Sequence, residues 1–452
     1  MFTDSRYAGS GPARFPSMLV LLGLAIALVP APAAAINAGE RQALLDIYAA
    51  TAGPGWTRNG GWTGAAGSEC SWQGVGCDAA GEHVTQLDLG TNNLVGSLPA
   101  LDGLPWLQVL YVDHNALSGH IPSFDNLTNL VSVSVDSCSF DGPLPGLAQA
   151  TGIEAFYAGD NQLSGTIPSL QGLRLLRDFR VDDNALTGPL PSLSGLDSLE
   201  VFIAGGNALE GAIPPLAGLD ALAVFEVEHN QLSGPIPPLA GLASLQLFSA
   251  DVNQLSGPIP PLAGALALRG FYAGSNQLSG PIPPLHDLPQ LRSFYAYANR
   301  LDGPIPSLAD LPALQEFYVA HNQLEGPLPG LQGLEALSAF DARYNRIDGP
   351  IPSLQGLGRL TLLRLAFNHL GGPVPSLDGL TALQHIELAH NELSGAMPPA
   401  PSPNSLVPGG STLCPNRLER APDPDWALAT GITPWYSSCF EDLIFIDGFD
   451  GD

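Results

Sequence analysis

Hydrophobic and polar positions alternate over a short segment that recurs along most of the chain. In the copy at residues 247–253, Phe248 and Ala250 are apolar, whereas Ser249 and Asp251 are polar. In an extended strand alternate side chains point to opposite faces, so the apolar pair faces a core and the polar pair faces outward. The pattern therefore predicts one short, half-buried strand in every copy.

An asparagine follows each predicted strand and shows the spacing of the copies. Neighbouring asparagines are 23 residues apart, except for one interval of 46 residues with Cys138 at its midpoint. Fourteen copies thus run in unbroken register. A repeat of this kind buries the apolar face of each copy against the next copy. The asparagines are Asn92, Asn115, Asn161, Asn184, Asn207, Asn230, Asn253, Asn276, Asn299, Asn322, Asn345, Asn368 and Asn391.

The segment after each asparagine predicts a tight return rather than a helix. Leu255 and Ile259 continue the apolar face, while Gly257 and Pro260 interrupt any helix. Glycine permits backbone conformations that other residues avoid, and proline removes a backbone donor that a helix needs. We expect short 3₁₀ or polyproline turns on this side of each copy.

The aligned copies read LxxLxxFxAxxNxLxGxIPxLxG, and this unit resembles the plant-type leucine-rich repeat with its LSGxIP signature. The resemblance covers residues 84–398 and implies a right-handed repeat solenoid. Short parallel β-strands would form its concave face, and 3₁₀ or polyproline turns its convex face. In that family the asparagine amide bonds backbone groups of the adjoining turn in a ladder, where Cys138 can take the same place. Plant-type units are usually one residue longer, and the shortening here falls after the Ile-Pro pair.

The resemblance extends to a cap before the repeats. A helix near residues 43–51, the indoles of Trp56, Trp62 and Trp72, and a Cys70–Cys77 bridge look like the cap that precedes plant-type repeats. The predicted organisation is a signal peptide at 1–35, an N-terminal cap at 36–83, the solenoid at 84–400, a C-terminal cap at 401–440 and an acidic tail at 441–452.

The five cysteines fall as a close pair, a single residue and a second pair. The pairs are Cys70 with Cys77 and Cys414 with Cys439, and the single residue is Cys138. This distribution suggests two bridges and one free thiol. We expect the second pair to close the C-terminal cap.

The start of the chain has the pattern of a secretory signal. Arg6 and Arg14 precede an apolar run at residues 18–29, which small residues follow. This order predicts cleavage after Ala35 and a secreted or cell-surface protein, and an uncleaved anchor is the alternative. No later segment approaches twenty apolar residues, so we expect no membrane span in the mature chain. The ending IFIDGF resembles those of exported proteins of gammaproteobacteria, which implies a bacterial source.

Charge and motifs limit the classes of function. The chain has 43 acidic and 16 basic residues, a net charge of −27, and arginine as its only basic residue type other than histidine. Nucleic acids and anionic membranes would repel such a chain, whereas cationic and neutral partners remain open. No nucleophile motif, phosphate loop or cluster of metal ligands occurs. We therefore expect no enzymatic activity, no cofactor and no metal.

The candidate functional residues face outward from the predicted concave sheet. Seven of the ten tyrosines take such positions, and Tyr272, Tyr295 and Tyr318 take the same position on consecutive strands. Their rings should stack at roughly 5 Å spacing. Carboxylates make the first half of this face acidic. The proposed binding residues are Tyr111, Tyr157, Tyr272, Tyr295, Tyr297, Tyr318, Tyr344, Asp113, Asp136, Asp182, Glu228 and Asp251.

Two interpretations of this surface compete. The tyrosines could simply satisfy strand propensity and pack on each other across strands. Alternatively, they form a binding surface, since tyrosine offers contact area and a polar tip at low entropic cost. We favour a monomeric binding protein for a protein or peptide, and a cell-wall glycan is a further candidate partner.

The resemblance implies protein or peptide recognition, because plant relatives include polygalacturonase inhibitors and ectodomains of receptor kinases. The alternatives are a structural cell-surface spacer and a glycan-binding or hydrolase-inhibitor-like protein. Ice binding is a weaker third hypothesis.

Overall fold

A computed structural model describes residues 35–437 and 439. The predicted signal segment, apart from Ala35, and the predicted tail at 441–452 lie outside the described residues. Within the described part, each 23-residue copy adds one strand to a long sheet and one return across the opposite side. The chain is therefore a parallel β-solenoid, and the fold class expected from the repeat is confirmed.

The long sheet has fifteen strands. Its first two strands pair antiparallel, and the others pair parallel without a shift, so that Phe248 lies opposite Phe271. We call the exposed side of this sheet the concave face. The strands are Val75–Cys77, Val84–Asp88, Val109–Tyr111, Ser132–Ser134, Ala155–Tyr157, Asp178–Arg180, Val201–Ile203, Val224–Glu226, Leu247–Ser249, Gly270–Tyr272, Ser293–Tyr295, Glu316–Tyr318, Ala339–Asp341, Leu362–Arg364 and His385–Glu387.

A spine of stacked phenylalanines runs through the core beneath this sheet. Phe248 is fully buried, and its ring centroid lies 5.8 Å from that of Phe225 and 5.6 Å from that of Phe271. Ala250, also fully buried, fills the smaller space beside the ring. The predicted Phe-x-Ala packing is confirmed. The spine consists of Phe156, Phe179, Phe202, Phe225, Phe248, Phe271, Phe294, Phe317 and Phe340.

The asparagine ladder forms as the resemblance implies. Nδ2 of Asn253 donates to the carbonyl oxygens of Val227, Ala250 and Asp251 at 3.0, 3.2 and 3.1 Å. Its Oδ1 accepts from the backbone N–H of Leu232 at 2.9 Å. One side chain thus joins two turns of the solenoid and satisfies backbone groups that the strand leaves unpaired.

Cys138 takes the place of an asparagine in the ladder. Its Sγ donates to the carbonyl oxygen of Val112 at 3.5 Å. Burial raises the pKa of the Cys138 thiol to about 11, so the thiol stays protonated at neutral pH. It forms no disulfide.

The convex returns use tight turns. In one copy the N–H of Leu242 donates to Leu239 O at 3.2 Å, and the N–H of Leu245 donates to Leu242 O at 3.1 Å. These bonds to the third residue back are the 3₁₀ pattern.

The segments that follow the ladder residues form further parallel sheets, which the sequence pattern does not predict. Because the copies are equally long, these segments also lie side by side, and their backbone groups pair, as Gly257 does with Leu278. The strands are Val95–Gly96, Ala116–His120, Ser139–Pro143, Gln162–Gly165, Ala185–Pro189, Ala208–Ala212, Gln231–Gly234, Gln254–Gly257, Gln277–Pro281 and Arg300–Asp302 in one sheet, Glu325–Pro327 and Arg346–Asp348 in a second, and Gly371–Gly372, Glu392–Gly395 and Arg417–Leu418 in a third.

The N-terminal segment covers the first turn of the solenoid. Its helix Ala38–Ala50 is followed by short 3₁₀ helices at Gly53–Gly55 and Glu69–Ser71, and Cys70 is bonded to Cys77. The carbonyl of Thr51 accepts from the N–H of Val95 at 3.1 Å, so the segment satisfies the edge of the first turn.

The C-terminal segment continues the ladder beyond the last predicted copy. Asn416 lies 25 residues after Asn391 rather than 23. Its Nδ2 donates to the carbonyls of Leu388 and Leu413 at 2.8 and 2.7 Å. The helix Pro424–Thr430 follows, and a disulfide joins Cys414 to Cys439. Neither α-helix in the described part of the chain is long and apolar enough to span a membrane.

Candidate functional site

The centre of the concave face carries a cluster of tyrosine rings. Tyr272 lies opposite Tyr295, and Tyr295 lies opposite Tyr318, on three neighbouring strands. The ring centroids are 4.9 and 4.6 Å apart, near the expected spacing, but the planes meet at 69° and 55°. Tyr297 joins edge-on, 6.4 Å from Tyr295. We call these four residues the tyrosine cluster.

The hydroxyls of the concave tyrosines bond to the next strand. Tyr295 donates to Glu316 Oε2 at 2.7 Å, and Tyr157 donates to Asp178 Oδ2 at 3.2 Å. Tyr111 shares a bond of 2.9 Å with Ser132. These bonds hold the rings half-buried along the sheet. Burial, and then the negative charges of Glu316 and Asp341, raise the pKa of the Tyr318 hydroxyl to about 12, so this ring is neutral at physiological pH.

Two glycines make room for the rings. A Cβ on Gly270 would lie 2.6 Å from Cε2 of Tyr272, and a Cβ on Gly274 would lie 2.6 Å from Cε1 of Tyr297. Gly270 begins the strand Gly270–Tyr272, and Gly274 lies two residues beyond its end; the preceding copy carries Leu247 and Asp251 at these positions. They are part of the candidate site that the sequence analysis missed. The signal was present, because glycine disfavours a strand unless another group approaches the backbone closely.

Tyr111 and Tyr157 lie outside the cluster on earlier strands. The guanidinium of Arg180 lies 5.5 Å from the ring centroid of Tyr157. Arg180 also donates two bonds to Asp178, at 2.8 and 2.9 Å. Tyr157 therefore packs against the ion pair of Arg180 and Asp178. It lies apart from the tyrosine cluster, so the seven proposed tyrosines do not form one continuous surface.

Tyr344 belongs to a different structure at the margin of the concave face. Its ring is stacked between His321, at 4.3 Å, and Phe367, at 4.2 Å, with planes within 14° of parallel. His390 stacks on Phe367 at 4.0 Å. Each of these residues directly precedes a ladder asparagine. We call His321, Tyr344, Phe367 and His390 the ring stack.

The proposed carboxylates differ in how far they reach the surface. Asp113 and Asp251 are only 8% and 3% exposed, so they offer a partner little surface. Asp136 accepts from the N–H of Gly159 at 2.7 Å. Burial, and then neighbouring negative charges, raise the pKa of Asp136 to about 7 and that of Asp182 to about 6.

Glu228 leans over a glycine of the preceding copy. A Cβ on Gly205 would lie 2.9 Å from Glu228 Oε1. The acidic half of the face contains all of these carboxylates. Because the pKa values of Asp136 and Asp182 are raised, these two groups take up protons below neutral pH and part of the negative charge of this half is lost.

A closed set of charges lies on the other side of the tyrosine cluster. The guanidinium of Arg343 donates two hydrogen bonds of 3.0 Å to Asp341 and one of 2.9 Å to Glu387. Arg364 lies 2.7 Å from Glu387 and 3.7 Å from Asp341. Two positive and two negative groups therefore neutralise one another. The charged residues at these positions were visible in the sequence, but their mutual pairing was not.

The described residues contain no group of three or more histidine, cysteine or acidic side chains arranged to hold a metal ion. What the arrangement offers chemically is aromatic contact area between an acidic region and a neutral charge network.

Comparisons with known proteins agree with this fold. No protein-family model matches the chain. No curated protein matches it either. Among solved structures, a TDR receptor has 28% identity over 76% of this chain and 66% of its own, with a TM-score of 0.64. The plant peptide hormone receptor RGFR1 in complex with RGF2 has 28% identity over 80% of this chain and 63% of its own, with a TM-score of 0.69.

The PEPR1–AtPEP1 complex shows the same fold at 24% identity, covering 84% of this chain and 59% of its own, with a TM-score of 0.71. The chain therefore spans 59% to 66% of the length of the proteins in these three structures. Together the comparisons show that the chain has a solenoid fold similar to that of plant leucine-rich-repeat receptors.

Proposed function

We propose that this chain is a non-catalytic binding protein that takes a peptide or an extended protein segment across its concave face. The observation that carries the proposal is the tyrosine cluster, in which three tyrosines lie in register on consecutive strands with rings 4.6 to 4.9 Å apart. Fold alone would not require aromatic residues at outward positions, since serine and glutamate occupy them at Ser249 and Glu226.

The shape of the cluster supports a contact role. The hydroxyl of its central residue, Tyr295, is already bonded to Glu316, so this ring presents its surface rather than a free polar tip. Rigid aromatic surface loses little entropy on binding and dominates the energetics of many interfaces. A neighbouring structure, RGFR1, is a plant peptide hormone receptor in complex with RGF2, which is consistent with a peptide ligand here.

The charge of the chain supports a cationic partner. The net charge is −27, and the acidic half adjoins the tyrosine cluster. A ligand with positive groups over the acidic half and apolar groups over the rings would match both regions. We propose that the protein acts as a monomer. We also propose that it acts outside the cytoplasm, because its two disulfides suit an oxidising compartment and its N-terminal pattern is that of an exported chain.

The proposal can be tested with a phage-displayed library of random peptides selected on the full chain. Selected peptides should bind the wild type and lose at least about 10-fold in affinity when Tyr272, Tyr295 and Tyr318 are all replaced by alanine. The control is Asp348→Ala, which removes an exposed side chain from the opposite side of the solenoid and should leave affinity unchanged.

Other outcomes separate the alternatives. The proposal would be refuted if the selected peptides bound the triple variant with the affinity they have for the wild type, or if the library yielded no binders. Retention on a glycan array that depends on the cluster would instead support glycan binding. If deleting two whole repeats changes function in the native setting while point changes do not, the spacer interpretation holds.

A further inference from the structure

The ring stack is not required by the fold. Every copy places a residue with left-handed backbone before the ladder position, and its N–H donates to a carbonyl of the next copy, as Val252 does to Gly274 O at 3.0 Å. Aspartate, serine, valine and alanine all serve at this position in other copies. Positive φ is unfavourable for β-branched and bulky side chains, yet Tyr344 and Phe367 adopt φ values of 53° and 59°.

The stack lies at the surface and is unusually well aligned. Tyr344 and Phe367 are 41% and 37% exposed, and adjacent planes are within 10° to 15° of parallel. Centroid distances of 4.0 to 4.3 Å are shorter than the usual ~4.8 Å between strands, so the rings lean into mutual contact. Four consecutive copies therefore build an exposed array of nearly parallel rings.

The array stops at His321. The equivalent residue in the preceding copy is Ala298, and the copy before that has Ser275. Among the described residues the only ring stacked on His321 is Tyr344. The opposite face of the imidazole is thus directed toward the copy that carries Ala298. A methyl group occupies the position where the array would otherwise have its next ring.

Ala298 directly follows a residue of the tyrosine cluster in the chain. Tyr297, the residue before Ala298, contacts Tyr295 and lies over Gly274. The methyl group of Ala298 and one face of the His321 imidazole border the space above Ala298, and the nearby polar side chains are Ser275 and Tyr297. An aromatic ring in this space would stack on His321 as Tyr344 does on the other face, with centroids 4.3 Å apart, and would so continue the array.

We propose that the space above Ala298 is a subsite for the aromatic side chain of a bound peptide, whose ring continues the array on the free face of His321. This assignment rests on the proposed function, since it identifies one chemical feature of the ligand. It places the aromatic residue of the ligand beside Tyr297, next to the segment that crosses the tyrosine cluster.

The test uses peptides selected from the random-peptide phage library on the wild-type full chain. The selected sequences should share one tryptophan, tyrosine or phenylalanine. Replacing that residue by alanine should weaken binding roughly 5- to 10-fold. Ala298→Phe fills the subsite with a ring at a backbone conformation that Phe367 already adopts, and His321→Ala removes the stacking face. Each should weaken binding to a similar extent.

A double-mutant cycle and a control make the test specific. On Ala298→Phe the aromatic and alanine peptides should bind equally, because the subsite is no longer available. Val252→Phe adds a ring at the same type of position two copies away and should leave binding unchanged. Circular dichroism would confirm that each variant is folded.

The possible failures are distinguishable. Peptides that depend on the tyrosine cluster but show no aromatic preference and ignore Ala298→Phe would overturn the subsite while leaving the proposed function intact. Loss of glycan-array retention on Ala298→Phe would assign the space to a sugar and overturn the aromatic assignment. A library without binders would refute both proposals.

Discussion

The hydroxyl of Tyr295 donates a hydrogen bond of 2.7 Å to Oε2 of Glu316, which lies on the neighbouring strand of the concave sheet. The same oxygen accepts from Ser293 Oγ at 3.0 Å. Burial raises the pKa of Tyr295 well above its ordinary value, and the bond to the negative Glu316 raises it further. The contact fixes the central ring of the tyrosine cluster and keeps it neutral.

Glu316→Gln should lower the pKa of Tyr295 toward its ordinary value, because the amide keeps an acceptor but removes the negative charge. An alkaline titration of tyrosine absorbance should show ionisation at lower pH in the variant than in the wild type, from Tyr295 and also from Tyr318, whose pKa Glu316 raises as well. Tyr295→Phe removes the Tyr295 step from the titration, so it identifies that step, and it should cost about 1 kcal/mol of unfolding free energy. Identical titrations of wild type and Glu316→Gln would contradict the assignment.

Cys138→Asn should stabilise the protein. The thiol makes one bond of 3.5 Å to Val112 O, whereas Asn253 at the equivalent position donates three bonds and accepts one. We expect a gain of about 1 kcal/mol in urea unfolding, since a complete amide satisfies more backbone groups. Asn253→Ala is the converse variant and should destabilise by at least about 2 kcal/mol. Equal stabilities of wild type and Cys138→Asn would show that the thiol serves the ladder as well as the amide does.

Phe248→Ala should destabilise the solenoid by about 3–5 kcal/mol, because it removes a fully buried ring that contacts Phe225 and Phe271. Hydrogen exchange should increase first in the adjoining copies, since each copy contacts only its neighbours. Phe248→Leu keeps most of the volume and is the control, with an expected loss below about 2 kcal/mol. A uniform increase of exchange along the whole solenoid would contradict the nearest-neighbour picture.

The repeat unit allowed much of this architecture to be predicted. Alternation around Phe248 and Ala250 places those side chains in the core, and the fixed spacing of the asparagines sets the register of neighbouring strands. Both are local consequences of backbone geometry. The repeat spacing did not predict the extra ladder residue Asn416, because its distance from Asn391 differs from that between the copies. Only the fold brings it to Leu388.

The candidate site was less predictable because its details depend on how side chains lean. Tyr344 was expected beside the tyrosine cluster, but the left-handed backbone before the ladder residue, with φ of 53°, ends the strand alternation and places its ring on His321 and Phe367. The roles of Gly270 and Gly274 likewise follow from ring positions that spacing alone does not define.

Stability should fall as the pH rises through the range in which Asp136 ionises. Burial, with the nearby charges of Asp182 and Asp113, raises the pKa of Asp136 to about 7 from an ordinary value of 3.8. Between these values the folded chain holds a proton that the unfolded chain releases, so the unfolding free energy decreases with increasing pH. Asp136→Asn removes this ionisation while its amide oxygen can still accept from the N–H of Gly159.

Urea unfolding at about pH 5 and about pH 8 should therefore differ less in Asp136→Asn than in the wild type, by about 2 kcal/mol. Asp348→Asn removes an exposed carboxylate from the opposite side of the solenoid and is the matched control for the change in net charge. If both variants reduce the pH dependence equally, general repulsion in a chain of net charge −27 explains it, and burial of Asp136 does not. A reduction confined to Asp136→Asn assigns the effect to that carboxyl. It would also predict that a cationic ligand binds the acidic half more tightly above neutral pH, where Asp136 carries its charge.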